Sequence, residues 1–223
     1  MTGSKETRSF ICEVRAHKDE EHGTYIEGQP IVFEQKTDMG WYEEVIDSGA
    51  LANCDLKDVR FLVGHNTQGI PLARSRNNNE NSTMQLKPNE TGMGVRANLD
   101  TGNNMEAKAL YSATERGDIS GMSFMMIVDR DKDVWTDIET DYPKRRIMSI
   151  KRVLEVSAVA FPAYEQTSIQ VASADGAELD SARASLDSAR QRLAEERARQ
   201  AEDERRQTAL ERLNTLIGGI KNV

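Results

Sequence analysis

All five prolines and every tryptophan, tyrosine and phenylalanine of the 223-residue chain lie before residue 165. Cores are built largely from aromatic and branched side chains, so the packed part of the molecule has to be assembled from the stretch that ends near Tyr164. Beyond Tyr164 the pattern changes. Leu179, Ala182, Leu186, Ala189 and Leu193 recur at three- and four-residue spacing, residues 195–206 are densely charged with both signs, and Leu210, Leu213, Leu216 and Ile217 restore an apolar stripe before Gly218 and Gly219. This spacing predicts a long helix with a thin apolar seam, suited to a coiled coil or to docking on a partner helix. Gln200 and Gln207 interrupt the heptad register, so a solvated single helix is the competing reading. The expected division is a β-rich domain over 1–172 and a charged helical tail over 173–223.

Within the first part, short alternating segments separated by turn residues predict strands. They cover residues 8–16, 24–34 with a break at Gly28 and Pro30, 59–66, 72–75, 83–87 and 94–99. His17 to His22 reads as a solvated turn, residues 43–51 as an acidic connection with a helical turn, and residues 76–82 as a polar hairpin tip. Asn103 or Asn104 can cap a helix from Met105 to Arg116, with Gly117 as its stop. Residues 129–146 read as a charged excursion, and residues 146–162 as one long strand. The fold class expected is α+β, with a mixed or antiparallel β core, few helices and a long C-terminal helix.

The composition is 38% hydrophobic and 30% charged with a net charge of −8, which argues against direct binding to a phosphate backbone. No run is long enough to span a membrane, and the first residues have no apolar signal-peptide core, so the expectation is a chain that stays in the cytoplasm of the cell making it. Cys12 and Cys54 have no partners at metal-ligand spacing and read as incidental thiols. No metal and no cofactor is expected.

Two polar residues stand where apolar ones would serve better. Ser123 lies in the β-prone run Gly121-Met122-Ser123-Phe124-Met125-Met126-Ile127-Val128, and Glu155 lies inside Val153-Leu154-Glu155-Val156-Ser157-Ala158-Val159. A buried hydroxyl or carboxylate needs hydrogen bonds; Ser123 can obtain them from a backbone neighbour, and Glu155 from a basic residue across a sheet. The alternative is catalytic. His65, at the end of Val59-Arg60-Phe61-Leu62-Val63-Gly64, can act as a base near neutral pH, Ser123 as the nucleophile and Glu155 as the acid that orients the imidazole. By spacing alone Ser120 and Ser112 compete as nucleophiles, and Glu44, Glu139 and Asp100 as the acid. The Gly-x-Ser-x-Gly elbow of common esterases is absent, since Gly121-Met122-Ser123-Phe124-Met125 supplies only its first glycine.

Three segments in order, Gly64-His65-Asn66, Gly117-Asp118-Ile119-Ser120-Gly121-Met122-Ser123-Phe124 and Leu154-Glu155-Val156-Ser157-Ala158-Val159-Ala160-Phe161-Pro162-Ala163, resemble the tailed-phage prohead proteases. These are capsid maturation serine proteases with a fold similar to the herpesvirus assemblins. The resemblance covers about residues 8–172 and implies a barrel-like protease core. It makes His65 the general base and Ser123 the nucleophile. Glu155 stands where assemblins carry a second histidine, and the backbone around Pro162-Ala163-Tyr164 falls where they stabilise the oxyanion. The implied function is serine endopeptidase cleavage of the scaffolding region of the major capsid protein, and finally of the enzyme itself, inside the procapsid. The implied partners are the capsid protein with its scaffolding region and, as in assemblins, a second copy of the chain; the helical tail then suits binding to a helical scaffold segment. A non-catalytic assembly protein working through its C-terminal helix is the alternative.

Overall fold

The computed structural model describes residues 5–12, 14–160 and 176–220, with side chains described for 5–8, 12, 14–160 and 180–213. The expected oxyanion segment at Pro162-Ala163-Tyr164 lies outside the described residues. Among them, thirteen strands form three sheets. The largest sheet runs in the order β1 (Lys5–Ile11), β10 (Gly121–Val128), β13 (Ile150–Val159), β6 (Asp58–Val63) and β7 (Ala73–Arg76). All its pairings are antiparallel except β13 with β6. The second sheet orders β2 (Arg15–Asp19), β3 (Gly23–Val32), β9 (Gly92–Asn98) and β8 (Met84–Asn89), and the third orders β11 (Val134–Thr136), β12 (Lys144–Ile147), β5 (Glu43–Ile46) and β4 (Thr37–Asp38).

Period-two alternation explains which faces meet. Met122, Phe124, Met126 and Val128 of β10 are buried together with Val59 and Phe61 of β6 and Val156 and Ala158 of β13. Ile26 and Ile31 of β3, Met84 and Leu86 of β8, and Val95 and Ala97 of β9 belong to the same core, and Ala107 and Leu110 of α1 (Met105–Glu115) complete it. Asn104 caps α1 by accepting from the Glu106 and Ala107 amides, and Gly117 follows the helix at φ +81°. The core face of β10 is thus wholly apolar, and its opposite face carries Ser123.

The fold is α+β with few helices, and among the described residues no barrel closes, because β1 and β7 remain the edges of their sheet. Other expectations shift for physical reasons. The segment 8–16 divides at Cys12 into β1 and β2, which join different sheets. The run at His17 stays extended to Asp19, with the His17 ring stacked on Tyr25 at 4.9 Å. Residues 43–46 form β5 instead of a helical turn, since Val45 and Ile46 are buried and pair in parallel with β12. The expected long strand over 146–162 breaks at Met148 and Ser149, so residues 144–147 and 150–159 serve different sheets. The 129–146 excursion is anchored by the buried side chains of Trp135 and Arg145.

The C-terminal helix α2 (Gly176–Ile220) is attached along its early turns. Ala182 and Leu186 pack with Met39, Tyr42 and Trp135, the Ser181 hydroxyl donates to Glu6 at 3.2 Å, and Trp135 Nε1 donates to Ser185 Oγ at 3.0 Å. Arg190 reaches the Ile138 carbonyl and Arg197 pairs with Glu139. From Ala198 to Leu213 every side chain is exposed.

Candidate active site

The turn after β6 explains the Gly-His-Asn order. Gly64 and His65 both adopt left-handed backbone angles, φ +57° and +58°. Glycine does so freely, whereas histidine pays on the order of 1 kcal/mol. Asn66 stabilises the reversal through its side-chain oxygen, which accepts from the amides of Gln68 and Gly69 at 3.2 and 3.1 Å. The Gly64 amide donates to the Ala158 carbonyl at 3.0 Å, tying the turn to β13. The imidazole therefore projects beside β13 from the end of its neighbouring strand, with the side chain 21% exposed.

His65 Nδ1 meets Glu155 Oε1 at 2.6 Å. The other carboxylate oxygen accepts from the Ser157 hydroxyl at 2.5 Å, and that hydroxyl in turn accepts from the His65 amide at 3.1 Å. A carboxylate at Nδ1 selects the tautomer protonated there and leaves the Nε2 lone pair as the proton acceptor. Arg60 is the register partner of Glu155 on β6, but its guanidinium turns to Asp58 at 3.2 Å. The partners of Glu155 are thus an imidazole and a hydroxyl, in place of a basic residue across the sheet.

Ser123 is fully buried and stands directly opposite Ser157 in the antiparallel register of β10 and β13. Directly opposed residues share a face, with Cα atoms about 5 Å apart, so Ser123 lies one cross-strand step from the hydroxyl that bridges His65 and Glu155. Its own hydroxyl donates to the Arg8 carbonyl of β1 at 2.8 Å. Among the described residues, no hydrogen bond joins Ser123 to His65. Rotation about the Cα–Cβ bond is the motion that would release Oγ from Arg8. Of the competitors, Ser120 is exposed, Ser112 bonds to Arg116, Glu44 to Arg8 and Arg145, Glu139 to Arg197, and Asp100 to Asn103.

Arg8 also anchors a buried ion cluster. Its guanidinium binds Glu44 and Glu6, while Arg145 binds Glu6 at 2.8 Å, Glu44 at 3.0 Å and Asp133 at 2.6 Å. Among the described residues, three carboxylates of this cluster face two guanidiniums. Burial alone would raise the Glu6 carboxyl, yet Arg145 and Arg8 outweigh it and hold the group down at about 2. Asp133 goes the other way: burial pushes it up to about 6 against the pull of Arg145, with Glu6 and Glu44 adding to the rise. Of these two carboxyls, Asp133 is therefore the first to take up a proton as pH falls.

The sequence pointed to His65, Ser123 and Glu155, whereas the contacts of Ser157 with His65 and Glu155 and of Arg8 with Ser123 are seen only in the structure. Ser157 was legible in principle, because residues two apart on a strand share a face. Arg8 was not, since its contact with Ser123 depends on β1 lying beside β10. Among the described residues no cluster of His, Cys, Asp or Glu is arranged to hold a metal ion, and no helix is long and apolar enough to cross a membrane.

The family model described as caudovirus prohead serine protease matches residues 12–181. No curated protein and no solved structure matches the chain. The match takes in most of the sequence, including the strands and turn that carry His65, Ser123 and Glu155, and the chain belongs to the caudovirus prohead serine protease family.

Proposed function

We propose that this chain is the serine endopeptidase that removes the scaffolding region of the major capsid protein, and later cleaves itself, inside procapsids assembled in the host cytoplasm. Ser123 is the nucleophile, His65 the general base and Glu155 the acid that orients the base. The observation that carries this reading is the 2.6 Å contact between His65 Nδ1 and Glu155, bridged by the hydroxyl of Ser157, which stands directly opposite Ser123. In the first step Ser123 Oγ turns from the Arg8 carbonyl and attacks the scissile carbonyl carbon, while its proton passes to His65 Nε2. Glu155 stabilises the resulting imidazolium. Collapse of the tetrahedral intermediate breaks the C–N bond, and His65 returns the proton to the leaving amine. Water then hydrolyses the acyl-enzyme, with His65 again as base.

The helical tail is proposed as the element that carries the enzyme into the assembling shell by binding a helical scaffold segment, the support being its exposed stretch from Ala198 to Leu213, where Leu210 and Leu213 face solvent. One observation favours the non-catalytic reading: the Ser123 hydroxyl is satisfied by Arg8 at 2.8 Å, as a core polar group would be. Co-expression with the major capsid protein separates the two. Mass spectrometry of the capsid subunit is expected to find a defined piece missing with the wild-type chain and retained with Ser123→Ala. Intact subunits in both cases, within shells that still assemble, would favour the assembly role.

A further inference from the structure

We propose that Ser157 is a positioning residue of the site, holding both the base and its orienting acid through one hydroxyl. The inference rests on the proposed roles of His65 and Glu155. Ser157 is fully buried in the central strand of its sheet, between Ser123 on β10 and Leu62 on β6. A hydroxyl has one proton to donate and two lone pairs to accept with. Here the proton goes to Glu155 Oε2 at 2.5 Å and a lone pair takes the His65 amide at 3.1 Å.

A serine present only to fill a strand would bond to a neighbouring carbonyl. Ser157 instead divides the Glu155 carboxylate between two donors, with Oε1 on the imidazole and Oε2 on the hydroxyl. That division fixes the plane of the carboxylate and hence the direction in which it presents Oε1. The amide bond acts on the other partner, because His65 sits at φ +58°, a conformation that surrounding contacts must maintain. Both ends of the His65–Glu155 pair are therefore fastened to the same oxygen. Ser157 is not placed as a nucleophile, since its proton is donated to the carboxylate and its oxygen faces an amide.

The test compares wild type, Ser157→Ala, the near-isosteric Ser157→Cys and Ser123→Ala as full chains. Two readouts are the rate of labelling by a fluorophosphonate across pH and the downfield Nδ1–H proton resonance of His65. Ser157→Ala is expected to slow labelling of Ser123 by about 10–100-fold, the scale of losing an orienting hydrogen bond, and to displace both the acidic limb of the pH profile and the Nδ1–H resonance. Ser157→Cys, a weaker donor, is expected to fall between the two. An unchanged rate, profile and resonance in Ser157→Ala would overturn the proposal, as would labelling of Ser157 itself in Ser123→Ala. Should Ser157→Ala not fold, an unaltered profile and resonance in Ser157→Cys would overturn it equally. If the wild-type chain is not labelled at all, the protease reading fails, and the resonance still decides the positioning role because it requires no turnover.

Discussion

The Ser123 hydroxyl and the Arg8 carbonyl are joined by a 2.8 Å hydrogen bond across the β1–β10 pair. The same Arg8 sends its guanidinium into the cluster formed with Glu6, Glu44, Arg145 and Asp133, against which the early turns of α2 pack through Ser181 and Ser185. The candidate nucleophile is therefore bonded to the backbone of a strand whose Glu6 and Arg8 side chains are held by buried charge.

Ser123→Ala separates chemistry from structure. Removing a hydroxyl bonded to a carbonyl costs about 1 kcal/mol, which lowers the melting temperature by roughly 2–4 °C in a domain of this size. Cleavage of the capsid protein should fall by at least about 10³-fold, as expected when a nucleophile is lost. Thermal melts and subunit mass spectra of the same preparation check both numbers. A variant that melts like wild type and still cleaves would remove Ser123 from the chemistry.

Glu155→Gln keeps the volume of the side chain and removes its charge. The amide can no longer stabilise an imidazolium, and its NH₂ group favours the wrong tautomer of His65. The expected loss is about 10³–10⁴-fold in kcat, by analogy with neutralising the acid of a serine protease triad. Single-turnover assays on a peptide spanning the capsid cleavage site would measure it, with KM changing far less than kcat. An acid that served only the fold would give a stability change and no such division.

The apolar periodicity of β10 and the cap, seam and stop of α1 are local, and they were readable for that reason. Ser123 and Glu155 were readable because polar residues in apolar runs need partners. What the sequence did not disclose depends on which distant strands become neighbours. Residues 43–46 turn into a strand because β12 supplies a parallel partner and β4 an antiparallel one, and Arg145 can be buried because Glu6, Glu44 and Asp133 converge on it from three separate segments. The early turns of α2 show the same limit: Ala182 and Leu186 read as a seam awaiting some helix, and they bury against Met39, Tyr42 and Trp135 of this chain.

The raised carboxyl of Asp133 predicts a pH signature. Asp133 has its carboxyl raised from 3.8 to about 6 in the fold, so the native state binds that proton more tightly than the unfolded chain. Its contribution is most favourable below about pH 4 and is lost as pH rises through 6, amounting to roughly 3 kcal/mol at full ionisation. Glu6 behaves oppositely, contributing above its ordinary 4.5 and losing that contribution as pH falls toward 2. Asp133→Asn should therefore gain stability relative to wild type between about pH 4 and 6 and hold a constant difference above that. Denaturant melts of both proteins across pH 4–8 test this, and a difference independent of pH would contradict a raised Asp133 carboxyl.

Two truncations distinguish the docked and free parts of α2. Ending the chain after Arg199 removes residues beyond the Arg197–Glu139 pair, where the side chains described are exposed. The expected change in melting temperature is within about 2 °C, since among the described residues no buried side chain is removed. Ending it before Gly176 strips Ala182 and Leu186 from Trp135 and Tyr42 and takes Ser181 and Ser185 from the ion cluster. Burying a leucine contributes about 1.5–3 kcal/mol, and the uncovered carboxylates add to the loss, so this shorter chain should melt at least about 6 °C lower. The first truncation is then the one that tests packaging without disturbing the fold: peptide cleavage should persist while fewer copies enter the shell. Equal numbers of packaged wild-type and truncated chains, counted by quantitative mass spectrometry of purified procapsids, would mean that the distal helix is not the packaging element.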